Sequence, residues 1–401
     1  MRKTLLILSV IFLTSLLLFN CNKKIPTEDE VEQIGKLPMI KWDSTSRRII
    51  SEQDDPNYNG YSRLIQLNDQ SLFAVYFNNV KGIMGKRSYD YGNTWNDAFV
   101  ILPNSDTHEM NNPEIIQLND GSLLISTNLR PFGLANNNDT TRLFQIGVIK
   151  SSDNGANWSE LKIIYSASWK FDDGCWEPKA IQLSSGEIQL YFANEAPYIY
   201  SQEQNISMFS SFDGGQSWIS EPVIVSFRKN FRDGMPTPII LNDKSEIVMP
   251  IEDNGYGFTF NISIIRNSIS DGWSEYIDGN STKREYALEN ILPPSLGPYA
   301  GAPYITQLPS GETIMSYQST FGREGNPYNA LEYAIPYVVV GDANARNFQN
   351  ASAPFEIPEG KSGLWNSVAA LDNGEIVLLT SSNGISQNGN YEVWMIKGEL
   401  H

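Results

Sequence analysis

Apolar and polar positions alternate along most of this chain in short runs, separated by turns of Asn, Asp, Ser, Gly or Pro. One arrangement recurs: an apolar strand ending in Leu, a short polar turn, and a second apolar strand. The copies are LIQLNDQSLFAVYF (64–77), IIQLNDGSLLISTN (115–128), AIQLSSGEIQLYFA (180–193), IILNDKSEIVMPIE (239–252), ITQLPSGETIMSYQ (305–318) and VAALDNGEIVLLTS (368–381). Strand-type patterning on both sides of an Asn-Asp, Ser-Gly or Asn-Gly turn predicts a β-hairpin in each. With Leu67, Leu118, Leu183, Leu241, Leu308 and Leu371 as markers, the spacings are 51, 65, 58, 67 and 63 residues. Each interval leaves room for two further strands. The expectation is an all-β chain folded as a six-bladed β-propeller.

A second repeat is superimposed on the first: SYDYGNTW (88–95), SSDNGANW (151–158) and SFDGGQSW (211–218), with a degenerate SISDGW ending at Trp273. It is expected after the second hairpin strand, where the chain turns towards an outer strand. Gly92, Gly155 and Gly215 can take positive φ there without steric cost. Asp90, Asp153 and Asp213 can accept hydrogen bonds from the turn's own amides, and Trp95, Trp158 and Trp218 can pack between sheets. The repeat is read as structural.

The N-terminus changes the picture of location. Arg2 and Lys3 precede the apolar run Leu5 to Phe19, which ends at Cys21. The layout is that of a secretory signal, and its cysteine resembles the lipobox of bacterial lipoproteins. Residues 1–20 are therefore expected to be a signal peptide, 21–38 a lipidated cysteine and flexible tether, and 39–401 the propeller. The protein is expected at the cell envelope, in the periplasm or on the outer-membrane surface, as a monomer held to the membrane by lipid alone. Removing residues 1–20 takes away two cations, so the net charge becomes 27 − 46 = −19. No basic stripe exists, which argues against nucleic acid. His108 and His401 are the only histidines, too few for a histidine metal site or a Ser-His-Asp triad. Cys175 is left without a partner and is expected to be buried. The acidic stretches 106–112 and 136–141 lack alternating ligand spacing and are read as solvated loops, so neither metal nor cofactor is expected.

In an antiparallel hairpin the start of the first strand and the end of the second share an edge. Six such edges gather around one mouth of the channel, where binding and catalytic groups should lie. The residues there are Tyr61 and Arg63; Asn112 and Arg130; Trp176, Glu177 and Glu195; Arg232, Asp233 and Glu252; Tyr299, Tyr304 and Gln318; Trp365 and Asn366. Glycosidic cleavage needs two carboxyl groups, one protonating the departing oxygen and one acting as nucleophile or activating water. Glu177 and Glu252 are the candidate pair, with Glu195 as rival to either. The others are candidate substrate contacts, with Trp176 and Trp365 offering faces for a sugar ring.

The Ser-x-Asp-x-Gly-x-x-Trp phrase resembles the Asp-box of the sialidase superfamily. A true sialidase would bring an arginine trio and a tyrosine nucleophile. Here the fifth entrance reads Ala-Gly-Ala-Pro-Tyr and the sixth Trp-Asn-Ser. The chain is more similar to the exo-α-1,5-L-arabinanases of glycoside hydrolase family 93. The similarity lies in GYSRLIQL, NNPEIIQLNDG followed by NLRP, WEP, DGMP with a strand ending in Glu, AGAPY and WNS. That resemblance implies a retaining enzyme releasing arabinobiose from linear α-1,5-arabinan, with Glu177 as nucleophile and Glu252 as acid/base. An exo-α-sialidase and a non-catalytic glycan-binding lipoprotein are the alternatives.

Overall fold

The computed structural model describes residues 36–133, 140–257, 259–292, 297–324, 333–386 and 388–401. The expected signal peptide, Cys21 and most of the expected tether lie outside the described residues, as does most of the stretch 136–141. Residues Leu37–His401 form one compact unit.

Six antiparallel sheets make six blades. Blade 1 runs through Asn59–Gln66, Leu72–Asn78, Gly82–Ser88 and Phe99–Pro103, from the channel outwards. Blades 2 to 5 repeat this order over residues 108–166, 175–226, 233–286 and 300–352. The sixth is assembled from both ends of the unit: Gly363–Ala370, Ile376–Ser382 and Glu392–Leu400 supply three strands, and Ile40–Ile49 pairs with the last as the fourth. The N-terminal strand thus completes the blade and closes the ring. The core lies between blades. Phe73, Val75 and Ile83 of blade 1, for example, pack on Ile115, Leu123 and Ile125 of blade 2.

The glutamine of the recurrent Leu-turn phrase has a specific task. Gln117 accepts the Asn68 amide of the preceding blade's turn at 2.8 Å and donates to its own turn at Gly121 O (3.0 Å). Gln182 does the same with Asn119 N (2.7 Å) and Gly186 O (3.0 Å), and Gln307 with Asn242 N (2.7 Å) and Gly311 O (2.6 Å). Gln66 accepts Asp372 N at 2.8 Å, latching blade 1 to blade 6. Blade 6 carries Ala370 at this position, opposite Pro309 of the preceding turn. A proline has no N–H to offer, so a glutamine there would find nothing to accept.

The Ser-x-Asp-x-Gly-x-x-Trp turns join the third strand to the fourth, one strand further out than expected from the sequence, because each blade's third strand ends on the motif's serine. In the first, Asp90 Oδ1 accepts Thr94 N at 2.8 Å and Ser88 Oγ accepts Gly92 N at 2.8 Å, with Gly92 at φ 82°. The equivalent bonds recur at Asp153 and Asp213. These hydrogen bonds hold all three carboxyls down at about 2. Trp95, Trp158 and Trp218 pack against core clusters shared by neighbouring blades.

Candidate active site

One backbone irregularity recurs in every blade. The pairing of the innermost strand with its neighbour slips between Gly60 and Arg63, Asn111 and Glu114, Trp176 and Lys179, Gly301 and Tyr304, and Leu364 and Ser367. In blade 4 the same strand is split into Asp233–Gly234 and Ile239–Ile240. At each slip one residue takes a left-handed conformation: Tyr61 (φ 50°), Asn112 (46°), Glu177 (47°), Met235 (46°), Ala302 (46°) and Trp365 (52°). Proline follows in blades 2 to 5, at Pro113, Pro178, Pro236 and Pro303. A bulge has an unpaired amide, which is why an innermost strand tolerates proline there. A left-handed non-glycine residue costs about 1–3 kcal/mol and tends to mark functional sites.

The bulges turn these side chains towards the channel axis. Tyr61, Met235, Ala302 and Trp365, from four different blades, share one cluster. Tyr61 stacks on Trp365 with ring centroids 4.5 Å apart. Asn112 and Glu177 occupy the two remaining places. The mouth is thus ringed by an apolar arc on blades 4, 5, 6 and 1 and a polar arc on blades 2 and 3.

Glu177 makes no hydrogen bond to another described residue. Its closest cation is Arg130 Nη2 at 4.0 Å. Burial raises its pKa to about 8, opposed by Arg130 and assisted by Glu252 and Glu195. Glu252 is held differently: Oε1 accepts the Ala302 amide at 2.6 Å and the Tyr299 hydroxyl at 3.3 Å. Burial raises its pKa too, while that amide, that hydroxyl and Arg232 pull it back. Tyr299 is fixed by Gln318, whose Nε2 donates to its hydroxyl at 2.9 Å and whose Oε1 accepts Trp365 N at 2.8 Å.

The remaining candidates divide. Arg130 flanks the pocket, donating to Asn112 Oδ1 and to Asn128 Oδ1 (2.8 Å). Asn112 is buried beside Tyr61, whose hydroxyl it faces together with Arg130. Arg232, partly exposed, is ion-paired with Glu195. Glu195 also accepts Trp176 Nε1 at 3.0 Å, so both of its carboxyl oxygens are engaged by neighbouring side chains.

Several expected contacts belong elsewhere. Trp176 is buried, with Phe144 (4.7 Å) and Phe171 (4.9 Å) packed on its ring and Arg130 over its face, so it offers no platform. Asp233 is fully buried in blade 4, bound to Arg284 and Ser226. Gln318 is buried behind Tyr299. Asn366 is buried with both amide atoms unpartnered. Arg63 and Tyr304 lie two residues beyond their bulges, one layer down the channel. There Arg63 pairs with Glu114, and the Tyr304 hydroxyl donates to Glu114 Oε2 at 3.0 Å. Glu114 and Lys179, which share this layer, escaped the sequence reading. His108, expected in a loop, starts the inner strand of blade 2, its ring between Thr107 Oγ1 and Leu143 O. Cys175 is buried and free.

No family model matches the sequence, and no curated protein matches it. Solved structures do. An α-L-arabinofuranosidase of Fusarium graminearum, in complex with an iminosugar inhibitor, superposes with a TM-score of 0.62 at 18% identity, over 90% of this chain and 97% of that one. An α-L-arabinanase of Penicillium chrysogenum complexed with arabinobiose gives 0.62 at 17%, over 90% and 97%. A sialidase of Streptococcus pneumoniae gives 0.60 at 13%, over 94% and 73%. At these identities the likeness is one of fold: all share the six-bladed propeller.

Proposed function

We propose that the protein is a glycoside hydrolase acting on linear α-1,5-L-arabinan, releasing arabinobiose with retention. The observation that carries this reading is the contrast between two carboxyl groups on adjacent blades at one mouth. Glu177 makes no hydrogen bond to a described residue and, with a pKa of about 8, holds a proton at neutral pH. Glu252 has one oxygen fixed by two donors that favour its carboxylate form. An unattached carboxylic acid and a second carboxyl group oriented by two donors match the division of labour that glycosidic cleavage requires. The electrostatics support roles opposite to those the resemblance implied: Glu252 attacks the anomeric carbon, and Glu177 protonates the departing oxygen. Glu177 then takes the proton from the water that hydrolyses the glycosyl-enzyme.

Charge favours a neutral sugar. Of the mouth's cations, Arg232 is neutralised by Glu195, Arg130 faces Glu177, and Arg63 is spent on Glu114 below. Arg130, facing a protonated Glu177, is then the one guanidinium left without a carboxylate among these three, short of the trio that grips a sialic acid carboxylate. The apolar arc of Tyr61 and Trp365 suits a sugar face. The arabinobiose bound in the Penicillium structure supports a pentofuranose substrate. The N-terminal pattern supports a lipid-anchored protein at the cell envelope.

The test is incubation of the purified protein with linear α-1,5-arabinan. Arabinobiose should appear, and both Glu177→Gln and Glu252→Gln should abolish it. Cleavage of a sialyl aryl glycoside instead would restore the sialidase reading. Glycan binding without turnover on a broad panel would make this a binding protein.

A further inference from the structure

The layer beneath the mouth carries an unbalanced charge. Arg63, Glu114, Lys179 and Tyr304, from blades 1, 2, 3 and 5, meet on the channel axis. The Arg63 guanidinium bonds one oxygen of Glu114, and the Tyr304 hydroxyl takes the other. Lys179 Nζ stands 4.0 Å from Glu114, beyond hydrogen-bonding distance, and 3.5 Å above the Tyr304 ring. Its side chain is 8% exposed, and its ammonium donates no hydrogen bond to any described residue. Arg63 and Glu114 are the charges that bear on it, so two cations share one carboxylate. An ammonium removed from water with its donors unspent is expensive, and the cost calls for a counter-ion.

Lys179 and Tyr304 also floor a cavity of about 740 Å³ at the far end of the channel, opposite the carboxyl pair. Its wall mixes Ile65, Ile116, Ile181 and Ile239 with the side chains of Gln66, Gln117, Gln182 and Gln307. An ammonium that lines this funnel and shares its one carboxylate with Arg63 leaves an excess positive charge, which attracts a compact, singly charged anion. We propose that this vestibule is a second ligand site, binding a halide or small carboxylate on Lys179 Nζ. The site is separate from the proposed catalytic mouth, so it stands whether or not the arabinan reading does. Burial lowers the Lys179 pKa to about 8, with Glu114 opposing and Arg63 assisting. Anion affinity therefore falls as pH rises through 8, as the ammonium loses its proton.

The experiment is thermal unfolding of the full chain against sodium chloride and, separately, sodium acetate, for wild type, Lys179→Met and Glu114→Gln. Crystals soaked in bromide accompany it. The wild-type midpoint should rise with the logarithm of anion concentration more steeply than that of Lys179→Met. Glu114→Gln, which leaves both cations unopposed, should bind at lower concentration. A response to chloride alone identifies a halide site, and one to acetate as well a carboxylate site. Bromide should appear beside Lys179 Nζ. Equal slopes in wild type and Lys179→Met, or water alone beside Nζ, would overturn the proposal. If Lys179→Met fails to fold, the bromide position and the Glu114→Gln response still decide.

Discussion

The backbone amide of Ala302 in blade 5 donates a 2.6 Å hydrogen bond to Oε1 of Glu252 in blade 4. The bulge makes this possible, because it turns the Ala302 amide out of its own ladder towards the neighbouring blade. Gly301 leaves the space: a Cβ there would stand 2.3 Å from Glu252 Oε1 and 2.4 Å from the Tyr299 hydroxyl. Gly301→Ala is expected to displace the carboxylate without unfolding the protein. A shift near 1 Å costs about 100-fold in rate, so kcat should fall steeply at an unchanged unfolding midpoint. Full activity in this variant would remove Glu252 from the mechanism.

The proposed roles predict different defects for the two glutamines. With an aryl arabinofuranoside bearing a good leaving group, Glu177→Gln should keep its first step and stall at the second. Azide should rescue it, giving a glycosyl azide of retained configuration. Glu252→Gln should be inactive on every leaving group, and azide rescue should yield the inverted product. Exchange of these two patterns would restore the assignment implied by the family resemblance.

Glu177 also makes a prediction about stability. Its folded pKa of about 8 lies above the ordinary 4.5. Between these values the folded state keeps a proton that the unfolded state has lost, so stability falls as pH rises across this window. Allowing for partial exposure, the cost near pH 8 is on the order of 2 kcal/mol. Glu177→Gln should therefore raise the unfolding midpoint by a few degrees at pH 8 and little at pH 4.5. A midpoint change independent of pH would refute the raised pKa.

Arg130 lowers the Glu177 pKa, so Arg130→Met should carry the alkaline limb of the kcat/KM profile to higher pH. An alkaline limb that stays in place or moves down would show that another group limits the rate there.

The glutamine latches allow a paired comparison. Gln182→Ala removes two hydrogen bonds and should cost about 1–3 kcal/mol, read by thermal unfolding. Ala370→Gln should gain nothing, because Pro309 opposite has no amide hydrogen. Stabilisation by Ala370→Gln would show that the latch owes nothing to the neighbouring turn.

The sequence made the blades legible because each hairpin repeats the same turn and the same Leu. It also gathered Glu177, Glu252, Arg130, Asn112, Tyr61, Trp365 and Tyr299 at one end of the channel, where the structure places them together. What it hid was depth. A bulge inserts one residue, so Arg63 and Tyr304 fall a layer lower than a regular strand would place them, and Trp176 points into the blade. The signal was present in the x-Pro-x triplets: Glu114, Lys179, Thr237 and Tyr304 each follow a proline that follows the bulge residue. The N-terminal strand was hidden for another reason. Ile40–Ile49 is mostly polar because an outer strand buries little, so no apolar run announced it.

Because the same kink recurs in all six blades, the scaffold works like a turret with six interchangeable sockets. Each socket holds its occupant by main-chain shape rather than by the identity of the side chain. A tyrosine, an asparagine, a glutamate, a methionine, an alanine and a tryptophan sit in equivalent places. New specificities could then arise by re-lettering sockets one at a time while the sheets outside them stay as they are.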